Sequence, residues 1–147
     1  MTSAALDGSA PRSAVGRWLA GVLAIAFGVA TLVEGGHVLF GGPVARAAAG
    51  DVVPFVLMFN FGAGFAYVLG GLASLFRHRW AVWMARAVAL STLLVFAAFG
   101  IHVLTGGSYE QRTLWAMALR SGFWVAQALM LPRLLRGQRS ANPRNSL

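Results

Sequence analysis

The chain has 147 residues, of which 58% are hydrophobic and 11% charged, and its mean hydropathy is +0.69. Soluble domains carry about a quarter charged residues, so this composition excludes an ordinary water-soluble domain and points to lipid. All 12 basic residues are arginine, set against Asp7, Glu34, Asp51 and Glu110, and the lack of cysteine excludes disulfides, thiolate metal centres and thiol catalysis.

Residues 1–14 are polar, small and proline-containing, and read as a disordered segment. Neither an early positive region nor a cleavage site marks a signal peptide, so the first apolar run reads as a retained helix. Four apolar segments follow, at about 15–40, 52–76, 80–105 and 112–132. Each reaches the roughly 20 residues that a helix needs to cross a hydrocarbon core of about 30 Å. Gly41-Gly42-Pro43 closes the first, Arg77-His78-Arg79 separates the second from the third, Gly106-Gly107 closes the third and Pro132 closes the fourth. Lipid offers no partner to open backbone groups, so the spans should be helical. The expected fold is an all-α, integral membrane four-helix bundle over 15–134, followed by a basic tail at 135–147.

Arginine placement sets the expected orientation. Arg12, Arg17, Arg77, Arg79, Arg133, Arg136, Arg139 and Arg144 lie on one face, and only Arg46 and Arg112 on the other. This positive-inside bias assigns both termini to the cytoplasm. A formal charge of +8 distributed in this way flanks spans rather than forming a stripe, so lipid rather than nucleic acid is the expected partner. Abundant Ala, Gly and Arg without lysine fit a GC-rich bacterial gene, and hence a bacterial inner membrane. Trp18, Trp80 and Trp83 fall near the inner interface, Tyr109 and Trp115 near the outer one. Gly62, Ala66 and Gly70, with Gly64 and Gly71 beside them, form a small-residue stripe that lets another helix approach closely, within the chain or in an oligomer.

A faint duplication runs at an offset of 65 residues. His37-Val38-Leu39-Phe40-Gly41-Gly42 reappears as His102-Val103-Leu104-Thr105-Gly106-Gly107, and Trp18, Ala20 and Ala24 match Trp83, Ala85 and Ala89. The first and third spans then become equivalent members of two parallel helical-hairpin repeats, related by an axis along the membrane normal. His37 and His102 would share one depth, about one turn inside the outer face, and would converge if both turn toward the axis.

Ionisable residues within a span are costly in hydrocarbon and turn toward protein or water. Glu34 lies about 9 Å along its helix from the outer end, Asn60 and Arg120 each about 12 Å, and His102 about 5 Å. Together with His37 they gather polar groups in the outer half, with at least one on every span. Arg86 sits near the inner face, where its guanidinium can snorkel to headgroups.

Glu34 and His37 are three apart, the spacing that helical carboxylate metal sites use. His37 and His102 could ligate a b-type haem axially, or join Glu34 around one divalent metal ion. Without a metal, Glu34 and Arg120 could form a buried ion pair with Asn60 completing its hydrogen bonds, or the same groups could line a ligand pocket or proton path. No nucleotide fingerprint or hydrolase motif occurs. The expected function is a polar ligand-, metal- or haem-binding site in the outer half of a small membrane protein. The alternatives are an oligomeric small-solute or ion transporter or channel, and a non-catalytic subunit of a larger membrane complex. Whether the chain is an enzyme is left open.

Overall fold

The computed structural model describes residues 9–76 and 80–136. The Arg77-His78-Arg79 loop, the first eight residues and the tail beyond 136 lie outside the described residues. The chain forms α1 (Ser9–Phe40), α2 (Gly42–Ala49), α3 (Pro54–Leu75), α4 (Trp80–Leu104) and α5 (Gln111–Arg136). This is an all-α domain in which α1, α3, α4 and α5 are long and apolar enough to cross a membrane.

Helix boundaries depart from the expected ones where tertiary contact outweighs local signals. Pro132 lies inside α5, which continues to Arg136. Proline removes one intrahelical hydrogen bond, a defect that packed membrane helices tolerate. The turns on either side are held, because Leu131 is buried and Leu134 rests on Gly16 of α1. At the other end, α1 starts at Ser9, inside the segment expected to be disordered; Pro11 falls in its first turn, where no intrahelical donor is needed. The short helix α2 has no counterpart in the sequence reading. Eight residues opening on Gly-Pro carry too little periodicity to show, yet Ala45 and Ala49 turn one face inward.

In order around the bundle, α1 packs on α3, α3 on α4, α4 on α5, and α5 back on α1, so that α1 and α4 face each other diagonally. The closest pair is α1 with α3, and glycine makes it so. A Cβ on Gly28 would meet Gly64 O at 2.9 Å and Val68 Cγ2 at 2.8 Å, and one on Gly71 would meet Gly21 O at 2.7 Å. Gly21 opposite Gly71 and Gly28 opposite Gly64 therefore mark an antiparallel seam where backbone meets backbone. The stripe expected from Gly62, Ala66 and Gly70 is not this seam. Gly62 has open space around it, and Gly70 abuts Met84 and Trp124. The seven-residue spacing of Gly64 and Gly71 matches two helical turns of a nearly parallel contact, whereas a stripe at four-residue spacing drifts around the helix.

The surface is apolar and the centre is mixed, the inverse of a soluble bundle. Leu23, Val33, Leu69, Leu94, Ile101 and Leu119 point outward. Trp115 is exposed at the end that carries α2, and Trp18, Trp80 and Trp83 at the opposite end, as two interfacial belts require. Inside, Tyr67, Trp124, Val88 and Leu131 anchor one apolar cluster with small alanines of α1 and α4. Val53, Val56, Phe99 and Met117 form a second cluster toward the α2 end. Between the two lies a buried polar layer: Thr31 from α1, Asn60 from α3, Thr92 from α4, and Arg120 with Ser121 from α5.

The proposed duplication shows both agreement and divergence. Trp18 and Trp83 both face outward, and Ala24 and Ala89 are both buried. By contrast, among the described residues α4 and α5 meet without a glycine seam, and α1 runs on into a further helix while α4 does not.

Filling the seam should cost stability while filling the open glycine should not. Gly28→Leu or Gly64→Leu is expected to lower unfolding free energy by about 1–3 kcal/mol. Gly62→Leu should change it by about 0.5 kcal/mol or less, with both read from SDS or urea unfolding in mixed micelles.

Candidate functional site

Helical periodicity brings one face of each of three helices to a common cavity. From α1 come Thr31, Glu34, Gly35, His37 and Val38; from α3, Val56, Leu57 and Asn60; from α5, Arg112, Thr113, Ala116 and Arg120. Spacings of three and four residues recur on each, the signature of a single helix face. The cavity has a volume of about 510 Å³, and α2 with the segment after it covers it through Ala45, Ala48, Ala49, Val52 and Val53. Glu34 and His37 are exposed and stand at its mouth.

Arg120 and Asn60 form the floor, and neither is fully satisfied. Only 9% of Arg120 and 8% of Asn60 is exposed. One Arg120 nitrogen, Nη2, donates to Thr31 Oγ1 at 3.3 Å, whose own hydroxyl donates to Phe27 O at 2.8 Å. The guanidinium carbon lies 5.7 Å from the Phe27 ring centroid, close enough for a cation–π contribution. Its Nε has no hydrogen-bond partner. Asn60 Nδ2 donates to Met117 Sδ at 3.5 Å, a weak acceptor, and Asn60 Oδ1 accepts nothing.

The expected Glu34–Arg120 pair is not a direct contact. Both residues line the cavity. Among the described residues, none brings a carboxylate within ion-pairing distance of Arg120. Nor do the two histidines share a setting. His37 sits at the cavity mouth, while His102 Nε2 lies 3.2 Å from Ser108 O and its ring stands edge-on to Phe55 with centroids 6.3 Å apart. A Cβ on Gly107 would collide with that ring, so His102 packs down on the turn between α4 and α5. Among the described residues, no group of three or more His, Asp or Glu side chains is arranged to hold a metal ion.

Arg112 and Thr31 were not expected at the site, and Glu110, expected at the rim of the outer face, proves to be a clamp. Arg112 Nη2 donates to Ala48 O at 3.2 Å and also to Ala49 O, capping the negative end of α2. A Glu110 carboxylate oxygen accepts from the Asp51 backbone N–H at 3.2 Å. It fills the space where a Gly50 side chain would stand, and Gly50 adopts φ 72°. These contacts lash the cover to the α5 end across more than fifty residues of sequence. That separation hides them, because nothing local to Arg112 or Glu110 distinguishes a clamp from a solvated charge.

The buried polar layer continues past the floor. The Tyr67 hydroxyl faces Thr92, yet neither hydroxyl reaches hydrogen-bond geometry, and Ser121 Oγ and Trp124 Nε1 also lack partners. Nearer the opposite end, crossbars close the interior: Gln127 Nε2 donates to Ala20 O at 2.8 Å and Arg17 Nη1 to Leu75 O at 3.2 Å.

Cutting the clamp should loosen the cover alone. In Arg112→Ala, amide hydrogen exchange across 42–52 should accelerate roughly fivefold, the equivalent of about 1 kcal/mol, with α3 unchanged beyond Leu57.

Comparison with protein-family models, with curated proteins and with solved structures finds no match. The chain is a small multi-span membrane helical protein with buried polar and aromatic residues at its centre.

Proposed function

We propose that this protein binds a small polar ligand in the outer half of its bundle, in the cavity between α1, α3 and α5. One observation carries this reading: Arg120 and Asn60 are both buried at the cavity floor, and each holds an enclosed polar atom with no partner in the protein. A guanidinium does not shed its proton, and an uncompensated charge in a membrane interior is expensive. Its retention beside a cavity of about 510 Å³ suits a group whose counterpart arrives from outside. The arginine bias of the loops supports an outward-facing α2 end.

A structural role and a binding role for Arg120 predict opposite stability changes. If the residue serves binding, an apolar isostere relieves desolvation, and Arg120→Met should stabilise the protein by about 1–4 kcal/mol. A comparable loss of stability would instead make Arg120 a structural bridge to Thr31 and overturn the reading. Access can be tested directly, because the chain has no native cysteine. A membrane-impermeant maleimide added to intact cells should label Thr113→Cys and leave Ala85→Cys untouched. Labelling of Thr113→Cys only in inverted vesicles would reverse the orientation.

A second reading, a small-solute carrier, draws on the unpartnered Tyr67, Thr92, Ser121 and Trp124 groups beyond the floor. They extend a polar seam inward until the Gln127 and Arg17 crossbars, which would have to break for passage. The haem or divalent-metal reading of Glu34, His37 and His102 has less behind it, since α1 and α4 are diagonal and His102 is committed to its own turn. An absorption spectrum and elemental analysis of purified protein would revive it if a Soret band or near-stoichiometric metal were found.

A further inference from the structure

Resting on the cavity being a ligand site, the geometry points to the chemical class of that ligand: we infer a small monocarboxylate carrying a hydrogen-bond donor close to its carboxyl. Thr31 engages Arg120 Nη2 and Nε is enclosed in the protein, so the outer edge of the guanidinium is the planar fork left to match the two oxygens of a carboxylate. Asn60 lines the same cavity, and its Oδ1, an acceptor without a donor, is enclosed until a rotation of the amide turns it to the cavity. A ligand with a carboxylate and a neighbouring hydroxyl or amino group satisfies both at once.

The rest of the cavity narrows the choice. Arg112 is already engaged with the carbonyls of Ala48 and Ala49, so a dianion would find one open cation, not two. Glu34 at the mouth adds a negative charge, which opposes a second anionic group. A cation would face Arg120 directly, and a neutral molecule would leave it uncompensated. Chloride would answer the charge but leave Asn60 Oδ1 unmet and the apolar walls, Val52, Val53, Val56 and Leu57, without a partner. Those walls suit a short aliphatic body attached to the carboxylate.

The test uses the full chain in lipid nanodiscs and equilibrium dialysis of radiolabelled 2-hydroxybutyrate, butyrate, butylamine and 1-butanol. The expected result is saturable binding of 2-hydroxybutyrate, weaker binding of butyrate, and none of the amine or alcohol. Arg120→Gln should weaken carboxylate binding at least about tenfold. Arg120→Lys, which keeps the charge and loses the fork, should fall between it and the parent. Asn60→Ala should erase the preference for 2-hydroxybutyrate over butyrate while butyrate still binds, a signature that loss of structure would not produce.

Ala48→Trp fills the cavity from its cover and separates the two levels of inference. Amine or alcohol binding that exceeds carboxylate binding and is abolished by Ala48→Trp would overturn the carboxylate assignment and leave the ligand site standing. Binding of no probe, or binding indifferent to Ala48→Trp, would overturn both. Competition by unlabelled 2-hydroxybutyrate would place the source in water; competition only by 2-hydroxymyristate would place it in the bilayer, and either supports the carboxylate.

Discussion

The structure depends on a buried arginine. Arg120 sits in the middle of a membrane helix, and among the described residues no carboxylate is in contact with it. Hydrocarbon cannot hold a bare guanidinium, so the helix must turn that face inward and its neighbours must supply dipoles. Thr31, the Phe27 ring and the cavity beside it answer that requirement. The rotation of α5 follows, and with it the placement of Trp124 one turn further along, where its ring lies tilted against Tyr67 with centroids 4.8 Å apart and fills the bundle centre. Polar layer and apolar clusters are thus two results of the same orientation.

Close packing elsewhere makes that layer tolerable. In a bilayer no hydrophobic gain drives helix against helix, so association comes from van der Waals contact and interhelical hydrogen bonds. The α1–α3 seam provides the first through Gly21, Gly28, Gly64 and Gly71. Gln127 and Arg17 provide the second, reaching backbone carbonyls of other helices. Against this rigid pair, α5 can leave a gap toward the α2 end without the bundle losing its register. The gap is the cavity, and α2 lies over it because Arg112 and Glu110 hold the flanking backbone.

The proposed site lies where satisfaction is incomplete. Most buried polar groups in folded proteins find partners; among the described residues, Asn60, Tyr67, Thr92, Arg120, Ser121 and Trp124 hold buried polar atoms without one and lie in one region. Such a cluster lowers stability relative to an apolar core.

Much of the architecture was legible along the chain. Span number, apolar surface, tryptophan belts and the gathering of polar groups at one depth all follow from composition and from the cost of polar groups in lipid, which act residue by residue. Depth along a helix is likewise a matter of counting, so Glu34, His37, Asn60 and Arg120 could be placed in one cavity's neighbourhood from spacing alone. Azimuth could not. Whether His102 turns to the axis or to its own turn, whether Gly62 or Gly64 meets α1, and whether Arg120 meets Glu34 or Thr31 depend on how four helices rotate against one another. Rotation is decided by the sum of many contacts across the bundle, as are the helical state of the eight residues of α2 and the clamp from Arg112. Those were tertiary decisions: a helix sequence states how deep a side chain lies, and only its neighbours determine which way it points.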